Sequence, residues 1–487
     1  MRTYHHDAGP LAYASPGVIL LSLGIVALML AGVLALGCRG LAAAAGVPLV
    51  GAVGRMMGQA AAAGLCVGIV AVIAAVAVHI LAPDRAKIQH KVRRALCCPR
   101  YGNPLHLKEG ELLPDVACKN TLRSDVYDLT ISAGAVTVET IAEAASAISS
   151  ALNGKYIRYA VTQTDTGVAC DRVTFRVEDV LVDRSLTYAT VEEMRPASST
   201  RLRVQSGAEI DLTTSGSMLV AGKTRSGKTT GIIALLLQVL LAGRDGYDSE
   251  VIIIDPKSAE LSRLPHVVTL DEAGTATAIL DAIKRFSETI TRRQRVLNDL
   301  SESTGDAVKW WDAGMHPSFL FLDEYVSCRS LYPAKAEKGS DYCLATFDNI
   351  LKRIITMGAS AGCFAIISIA EASVQEGGLP SMLRSAMSTR ILFRPTRAEA
   401  LLMWDKTKID PLPERVYGPG DAWFSSTDGL HDGVGYVHFP RMVFPIYREL
   451  GRLLAEYYSD SPVPTPPAAE RSKGGGGGAK CNPVIIP

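Results

Sequence analysis

The sequence predicts a hairpin of two membrane-length apolar helices, then a small α+β domain, then a larger α/β domain built on a parallel sheet. Three observations predict it. Two charge-free apolar stretches lie near the N-terminus, strand-like runs flank one helical run in the middle, and a glycine-rich strand–loop–helix passage is followed by apolar strands ending in polar loops. A chain of 487 residues exceeds one ordinary domain. The composition is 48% hydrophobic but only 6% aromatic, with the surplus in Ala, Val, Leu and Ile toward the N-terminus, as expected of a membrane segment joined to a soluble body. A formal net charge of +1 leaves bulk charge silent about nucleic acid. Basic groups for such a partner must then be concentrated locally. The ten cysteines show no C-x-x-C pair and no metal-like spacing, so they read as ordinary thiols, the Cys97-Cys98 pair included.

The membrane region is assigned to residues 1–84. No Asp, Glu, Lys or Arg occurs from Ala8 to Cys38 or from Met56 to Pro83. Each stretch holds about the 20 residues that cross a bilayer as a helix, with cores at about 18–37 and 60–82. Arg85, Lys87, Lys91, Arg93, Arg94 and Arg100 crowd the exit of the second stretch, whereas the connection holds Arg39 and Arg55. The positive-inside tendency therefore puts both termini in the cytoplasm of a multi-pass protein in the cell membrane, in contact with lipid. A cleaved leader ending at Ala35-Leu36-Gly37-Cys38 is the weaker reading, because Arg2 alone is a poor charged start. His79 near the exit is read as snorkelling to the interface. Gly64 and Gly68 form a GxxxG-like pattern compatible with close helix packing.

Residues 85–200 are read as a basic juxtamembrane segment and a small α+β domain. Residues 141–152 carry apolar positions at helical spacing, and residues 156–161 and 173–177 read as strands. No residue in this segment has a catalytic pattern.

In residues 201–460, Met218-Leu219-Val220-Ala221 forms a short apolar strand leading into Gly222-Lys223-Thr224-Arg225-Ser226-Gly227-Lys228-Thr229, with Thr230 next and an apolar helix behind. This is G-x-x-x-x-G-K-T in its proper setting, a P-loop. Glycines let the backbone curl so that its N–H groups face phosphates. Lys228 is placed to reach the β- and γ-phosphates of ATP or GTP, and Thr229 offers a hydroxyl to Mg²⁺. Phe319-Leu320-Phe321-Leu322-Asp323-Glu324 completes the set with an apolar strand ending in two carboxylates. Asp323 is the expected metal-side ligand, and Glu324 the group that orients and deprotonates the attacking water, which favours a hydrolase over a binding switch. A third strand runs through residues 251–254 into Asp255-Pro256-Lys257, at the sheet edge where ligands sit in open α/β folds.

Beyond these elements, the order of motifs resembles the FtsK/SpoIIIE translocases. The resemblance rests on Asp255-Pro256-Lys257 with Glu260-Leu261, on Thr291-Arg292-Arg293-Gln294-Arg295, and on residues 351–364 with Gly358 and Ala361-Gly362. It continues through Ser388-Thr389-Arg390-Ile391-Leu392-Phe393-Arg394 and Gly418-Pro419-Gly420-Asp421-Ala422. It implies a RecA-like P-loop NTPase motor with ATP and Mg²⁺ as cofactors, assembled as a homo-hexamer that translocates DNA. It also implies an arginine reaching the neighbouring subunit's nucleotide. Arg390 is the residue chosen, with Arg384, Arg353, Arg394 and Arg397 as alternatives. Two departures stand out. The family's polar Gln-Arg pair is replaced by Ala370-Glu371, and Arg225 stands where the P-loop more usually has glycine.

The basic run Lys284, Arg285, Arg292, Arg293 and Arg295 is either a solvated helix face or a contact for DNA phosphates. Residues 461–487, rich in Pro and Gly, read as a flexible tail, with no room for a sequence-reading winged-helix module. Two membrane helices and one motor resemble the coupling proteins of Gram-positive conjugative elements (TcpA/ConQ type). The expected role is therefore delivery of DNA, with its relaxase, to transfer-channel proteins. A type VII-like protein-secretion ATPase and a chromosome-partitioning DNA pump are the alternatives.

Overall fold

The computed structural model describes residues 3–7, 14–43, 48–370, 380–410, 412 and 416–459. The tail from 461 and Glu371 lie outside them. The chain divides into two compact units, Met1–Val182 with Asp410–Pro413, and Asp183–Ile409 with Glu414–Pro487.

In the first unit, α1 (Pro16–Ala43) and α2 (Pro48–Leu81) pack antiparallel as a hairpin. Both are long and apolar enough to cross a membrane. Gly64 and Gly68 face α1. A Cβ on Gly68 would sit 2.6 Å from Leu28 Cγ, and one on Gly64 would sit 3.2 Å from Ala31 Cβ. The GxxxG-like spacing therefore marks a real close approach. The outward faces carry exposed Leu23, Met29, Val33, Ile73 and Ile80. Helix α2 begins well before the apolar core read from the sequence, because Gly, Met and Ala around Arg55 continue the helix. At 34 residues it is about 50 Å long, against about 30 Å of bilayer hydrocarbon.

Helix α3 (Asp84–Cys97) leads to a four-stranded antiparallel sheet of β1 (Val116–Asn120), β2 (Val126–Ser132), β3 (Tyr159–Thr166) and β4 (Arg172–Asp179), in the order β1-β2-β4-β3. The helical run read at 141–152 is two short helices, α4 (Val138–Glu143) and α5 (Ala145–Ala151), which break at Ala144. Thr137 caps the first by accepting a hydrogen bond from Thr140 N–H. The strand read from 156 starts instead at Tyr159. A 3₁₀ turn holds Gly154–Tyr156, and the Tyr156 hydroxyl donates to Asp84 at 2.7 Å. Alternation puts Leu129, Ile131, Val173, Phe175 and Val177 on one face, packed against Ile88, Val92, Leu96, Ile141 and Ile148.

The second unit starts earlier than residue 201. Its first strand, β5 (Thr187–Tyr188), pairs with a late one, β16 (Arg441–Met442). A hairpin of β6 (Arg201–Gln205) and β7 (Ala208–Asp211) follows. The main sheet contains β8 (Met218–Ala221), β9 (Val251–Ile254), β10 (Val267–Val268), β11 (Ser318–Leu322), β12 (Cys363–Ile369), β13 (Thr389–Phe393), β14 (Asp421–Ser426) and β15 (Gly435–His438). Its order is β10-β9-β11-β12-β8-β13-β14-β15. The strands from β10 to β13 run parallel, and β14 and β15 close the far edge antiparallel.

Every residue of β8, β9, β11 and β12 is buried, as two-sided helix cover requires. Helices α6 (Lys228–Ala242), α7 (Thr277–Thr304), α8 (Tyr325–Arg329), α9 (Leu344–Met357), α10 (Ser381–Ala386), α11 (Arg397–Ala400), α12 (Lys406–Ile409) and α13 (Ile446–Tyr458) complete the unit. Gln238, fully buried in α6, ties the helix to β6. Its Oε1 accepts from Arg203 N–H at 2.8 Å and its Nε2 donates to Arg203 O at 3.0 Å.

Candidate functional site

The P-loop leaves the C-terminal end of β8, between β12 and β13. Gly222 has φ +154, and a Cβ there would lie 2.9 Å from Phe393 Cβ. Gly227 has φ +91, and a Cβ there would lie 2.6 Å from Gly420 N. The backbone curl thus requires glycine at both positions for conformation and for space. Gly420 N–H donates to Ser226 O at 3.0 Å, so the Gly418-Pro419-Gly420-Asp421 turn backs the loop. Asp421 fastens that turn, accepting from Gly418 N–H at 2.6 Å, Tyr436 hydroxyl at 2.6 Å and His438 Nδ1 at 2.5 Å.

Arg225 adopts φ +64, the left-handed conformation usually given to glycine, and its side chain is exposed. The departure from glycine costs about 1–2 kcal/mol of backbone preference. Lys223 and Thr224 are exposed, and Lys223 Nζ lies 3.4 Å from buried Glu399. Ser226 is buried, and its Oγ has no hydrogen-bond partner among the described residues. Thr229 is half-buried and Thr230 exposed, in the first turn of α6.

Lys228 is buried and donates to Ile369 O at 3.0 Å, with Glu324 Oε1 at 3.7 Å. Burial pushes the Lys228 ammonium below its ordinary range, opposed by Glu324 and Asp323. Burial also raises the Asp323 carboxyl, opposed first by Lys228 and then by the Ser368 hydrogen bond of 3.0 Å. Each group thus lacks the solvent that would stabilise its charge, and a bound metal–phosphate group would supply the compensation. Glu324 takes φ +53 at the start of α8, a costly conformation for glutamate, and is held at 2.8 Å by Lys257 Nζ. P-loop, Lys228, Asp323 and Glu324 therefore converge on one edge of the sheet. The donor set fits a nucleoside triphosphate with Mg²⁺. Backbone N–H groups and an ammonium are there for phosphate, with a hydroxyl and a carboxylate for the metal.

Two members of this cluster were not legible as such. Ser368 is a hydroxyl inside a wholly buried strand, which was the available signal. Lys257 was visible in the Asp255-Pro256-Lys257 motif, but its pairing with Glu324 was not. Its neighbour Asp255 is a loop cap, accepting from the N–H groups of Lys257, Ala259 and Ser262.

Arg394 lies beside the turn that backs the loop, its N–H donating to Asp421 O at 2.8 Å. Arg390 sits near the start of β13, paired with Leu219 rather than with the P-loop end of β8. Its guanidinium donates to Met403 O and to Arg384 O. Arg384 donates to Leu402 O, Arg394 to Tyr417 O at 3.2 Å, and Arg353 to Thr291 Oγ1 at 2.6 Å. Arg397 opens α11.

The basic run on α7 is not one face. Arg293 is buried, bonded to Ser318 Oγ at 2.8 Å and His316 O at 2.7 Å. Lys284 pairs with Asp341 at 2.8 Å, Arg285 with Glu250 at 3.9 Å and Arg292 with Asp248 at 3.7 Å, and Arg295 is exposed.

Residues 198–372 match the FtsK/SpoIIIE family. This segment is an FtsK/SpoIIIE-family domain. It is similar to the Ftsk domain-containing protein YdcQ of Bacillus subtilis (strain 168), 26% identical over 151 residues, which is 31% of this chain and 28% of that one. It is also similar to the DNA translocase FtsK of Borreliella burgdorferi, 24% identical over 232 residues, 43% of this chain and 28% of that one. The chain thus spans under a third of the length of these relatives. Among solved structures, that of the pCW3 conjugation coupling protein TcpA with ATPgS aligns with 73% of this chain and 95% of its own, at 13% identity and a TM-score of 0.42. EssC (ATPases 2 and 3) from Geobacillus thermodenitrificans aligns with 57% and 52%, at 19% identity and a TM-score of 0.40. The FtsK/SpoIIIE domain carries the P-loop, the Asp323-Glu324 pair and Ser368, so the converging cluster lies wholly inside it.

Proposed function

We propose that this chain is a membrane-anchored ATP hydrolase that translocates DNA, serving as the coupling protein that delivers DNA to a conjugative transfer channel. One observation carries the reading. Lys228, Asp323 and Glu324 converge beside the glycine-built phosphate loop within an FtsK/SpoIIIE domain.

In this mechanism the N–H groups of the 222–229 loop bind the β- and γ-phosphates, and Lys228 leaves Ile369 O to pair with them. Thr229 would hold Mg²⁺ directly and Asp323 through water, with Ser368 fixing the Asp323 carboxylate in orientation. Mg²⁺ supplies neutralisation of the charge that develops on the phosphates. Glu324 orients a water and takes its proton once Lys257 releases it. Arg390 is proposed to complete the site of a neighbouring subunit in a homo-hexamer, for which it must leave the carbonyls of Met403 and Arg384. The apolar hairpin anchors the ring in the cell membrane with both termini cytoplasmic. A relaxase and transfer-channel proteins are the proposed partners. The proposed domains are the membrane region 1–84, the α+β segment from 85, the motor and the tail 461–487, with the boundary read at 200 moved to Val182–Asp183.

The test is the ATPase rate of the full chain in lipid nanodiscs, with and without duplex or single-stranded DNA. Stimulation that falls as salt rises supports the reading. Turnover indifferent to DNA in assembled rings removes it in favour of protein export.

A further inference from the structure

The first unit contains a cleft that belongs to no part of the nucleotide site. It has a volume of about 180 Å³ and is lined by Ala14, Pro16 and Ile19 at the start of α1, by His90, Arg93 and Arg94 of α3, and by Leu113. One wall is therefore apolar and continuous with the exposed side of α1, where Ile19 is 39% exposed. The other wall is cationic.

Helix α3 follows α2 after only Ala82 and Pro83, so its polar face begins where the apolar hairpin ends. Its buried face, Ile88, Val92, Ala95, Leu96 and Cys97, is used by the small domain's core, which leaves the cations on the remaining faces. The one carboxylate on the helix, Asp84, is already taken by Lys155 at 2.8 Å and by the Tyr156 hydroxyl. Lys91 is turned to Asn153 at 2.6 Å, and Arg94 lies over the Tyr101 ring at 5.5 Å. None of the ion pairs among the described residues neutralises Arg93 or Arg94. Burial first, and then the charges of Arg94, Arg93 and Lys91, hold His90 below its ordinary pKa. An arginine pair facing an apolar wall at a membrane boundary matches a phosphodiester joined to acyl chains.

We propose that Arg93 and Arg94, with the α1 start as the apolar wall, form a binding site for the headgroup of an anionic phospholipid. The inference rests on the membrane-anchored reading above. The phosphodiester takes the two guanidinium groups, and the acyl chains lie along Ile19 and the exposed face of α1.

The experiment uses the full chain reconstituted into nanodiscs of phosphatidylcholine with phosphatidylglycerol, then extracted in detergent, with retained lipid measured by mass spectrometry. The wild type retains phosphatidylglycerol over phosphatidylcholine. R93Q/R94Q loses that preference by about 25-fold, from about fivefold for each of the two arginines at an anionic surface. R93K/R94K keeps most of it, and Lys119→Gln on β1 keeps all of it. Equal retention of the two lipids, unchanged retention by R93Q/R94Q, or displacement by free glycerol phosphate at equal concentration overturns the inference. Carbonate extraction of membranes runs in parallel. A chain that washes off refutes membrane anchoring itself, whereas one that stays without lipid preference refutes only the headgroup site.

Discussion

Lys257 Nζ lies 2.8 Å from Glu324 Oε2 and joins the loop after β9 to the first residue beyond Asp323 on the neighbouring strand. The residue proposed to activate water is therefore held by a cation from a different loop, while Lys228 approaches its other oxygen at 3.7 Å.

Replacing Lys257 with Met frees Glu324. The expected outcome is a basal ATPase rate, measured without DNA, that rises about two- to fivefold, the scale of a part-exposed ion pair. The KM for ATP stays nearly constant. An unchanged rate removes the restraint.

Glu324→Gln keeps the shape and loses the base. ATP binding persists, while turnover falls roughly hundredfold or more. Single-turnover hydrolysis on the full chain checks this, and a wild-type rate rejects Glu324 as the base.

Lys228→Ala removes the ammonium from the phosphate site. Binding of a fluorescent ATP analogue and hydrolysis are both expected to be lost, with the protein still found in the membrane fraction. Normal turnover by this variant refutes the site.

Arg293→Ala leaves the Ser318 hydroxyl, His316 O and Asp245, 3.6 Å away, without their buried partner. It is expected to cost about 3 kcal/mol. Arg292→Ala, at an exposed pair, costs about 0.5 kcal/mol or less. Thermal melting of the two variants separates them.

The Asp421 carboxyl gives a pH dependence. Burial opposes its ionisation, but the bonds from His438, Tyr436 and Gly418 outweigh burial and hold its pKa below the ordinary range. A depressed carboxyl pKa contributes stability above the unfolded value, about 4, and loses it as pH falls through the lower folded value. Asp421→Asn is therefore expected to be less stable by about 1–3 kcal/mol near neutrality. The difference should narrow below pH about 4 in denaturant titrations.

The strand–P-loop–helix passage and the acidic pair were legible because each motif combines a local pattern with its own sheet strand. The Gly222 and Gly227 conformations follow from the same logic. Ala144, which breaks the middle helix, carried no signal, since nothing in alanine interrupts helical periodicity. Arg293 was unreadable as a buried residue because its partners, Ser318 and His316, come from another element. The same holds for Lys257 on Glu324, which the order β9-β11 brings together only after the sheet forms. Burial of charge depends on tertiary neighbours, and one sequence read alone does not display them.

The turn at Gly420 touches the phosphate loop through its own backbone and continues directly into the edge hairpin of β14 and β15. A ligand that displaced the loop would have to carry the turn with it or break the Gly420–Ser226 bond. If the hairpin follows, linkage makes the effect mutual: a contact gripping that outer edge would change affinity at the loop by the same factor. A rim so connected can report the occupancy of one site to its surroundings without any side chain crossing the sheet.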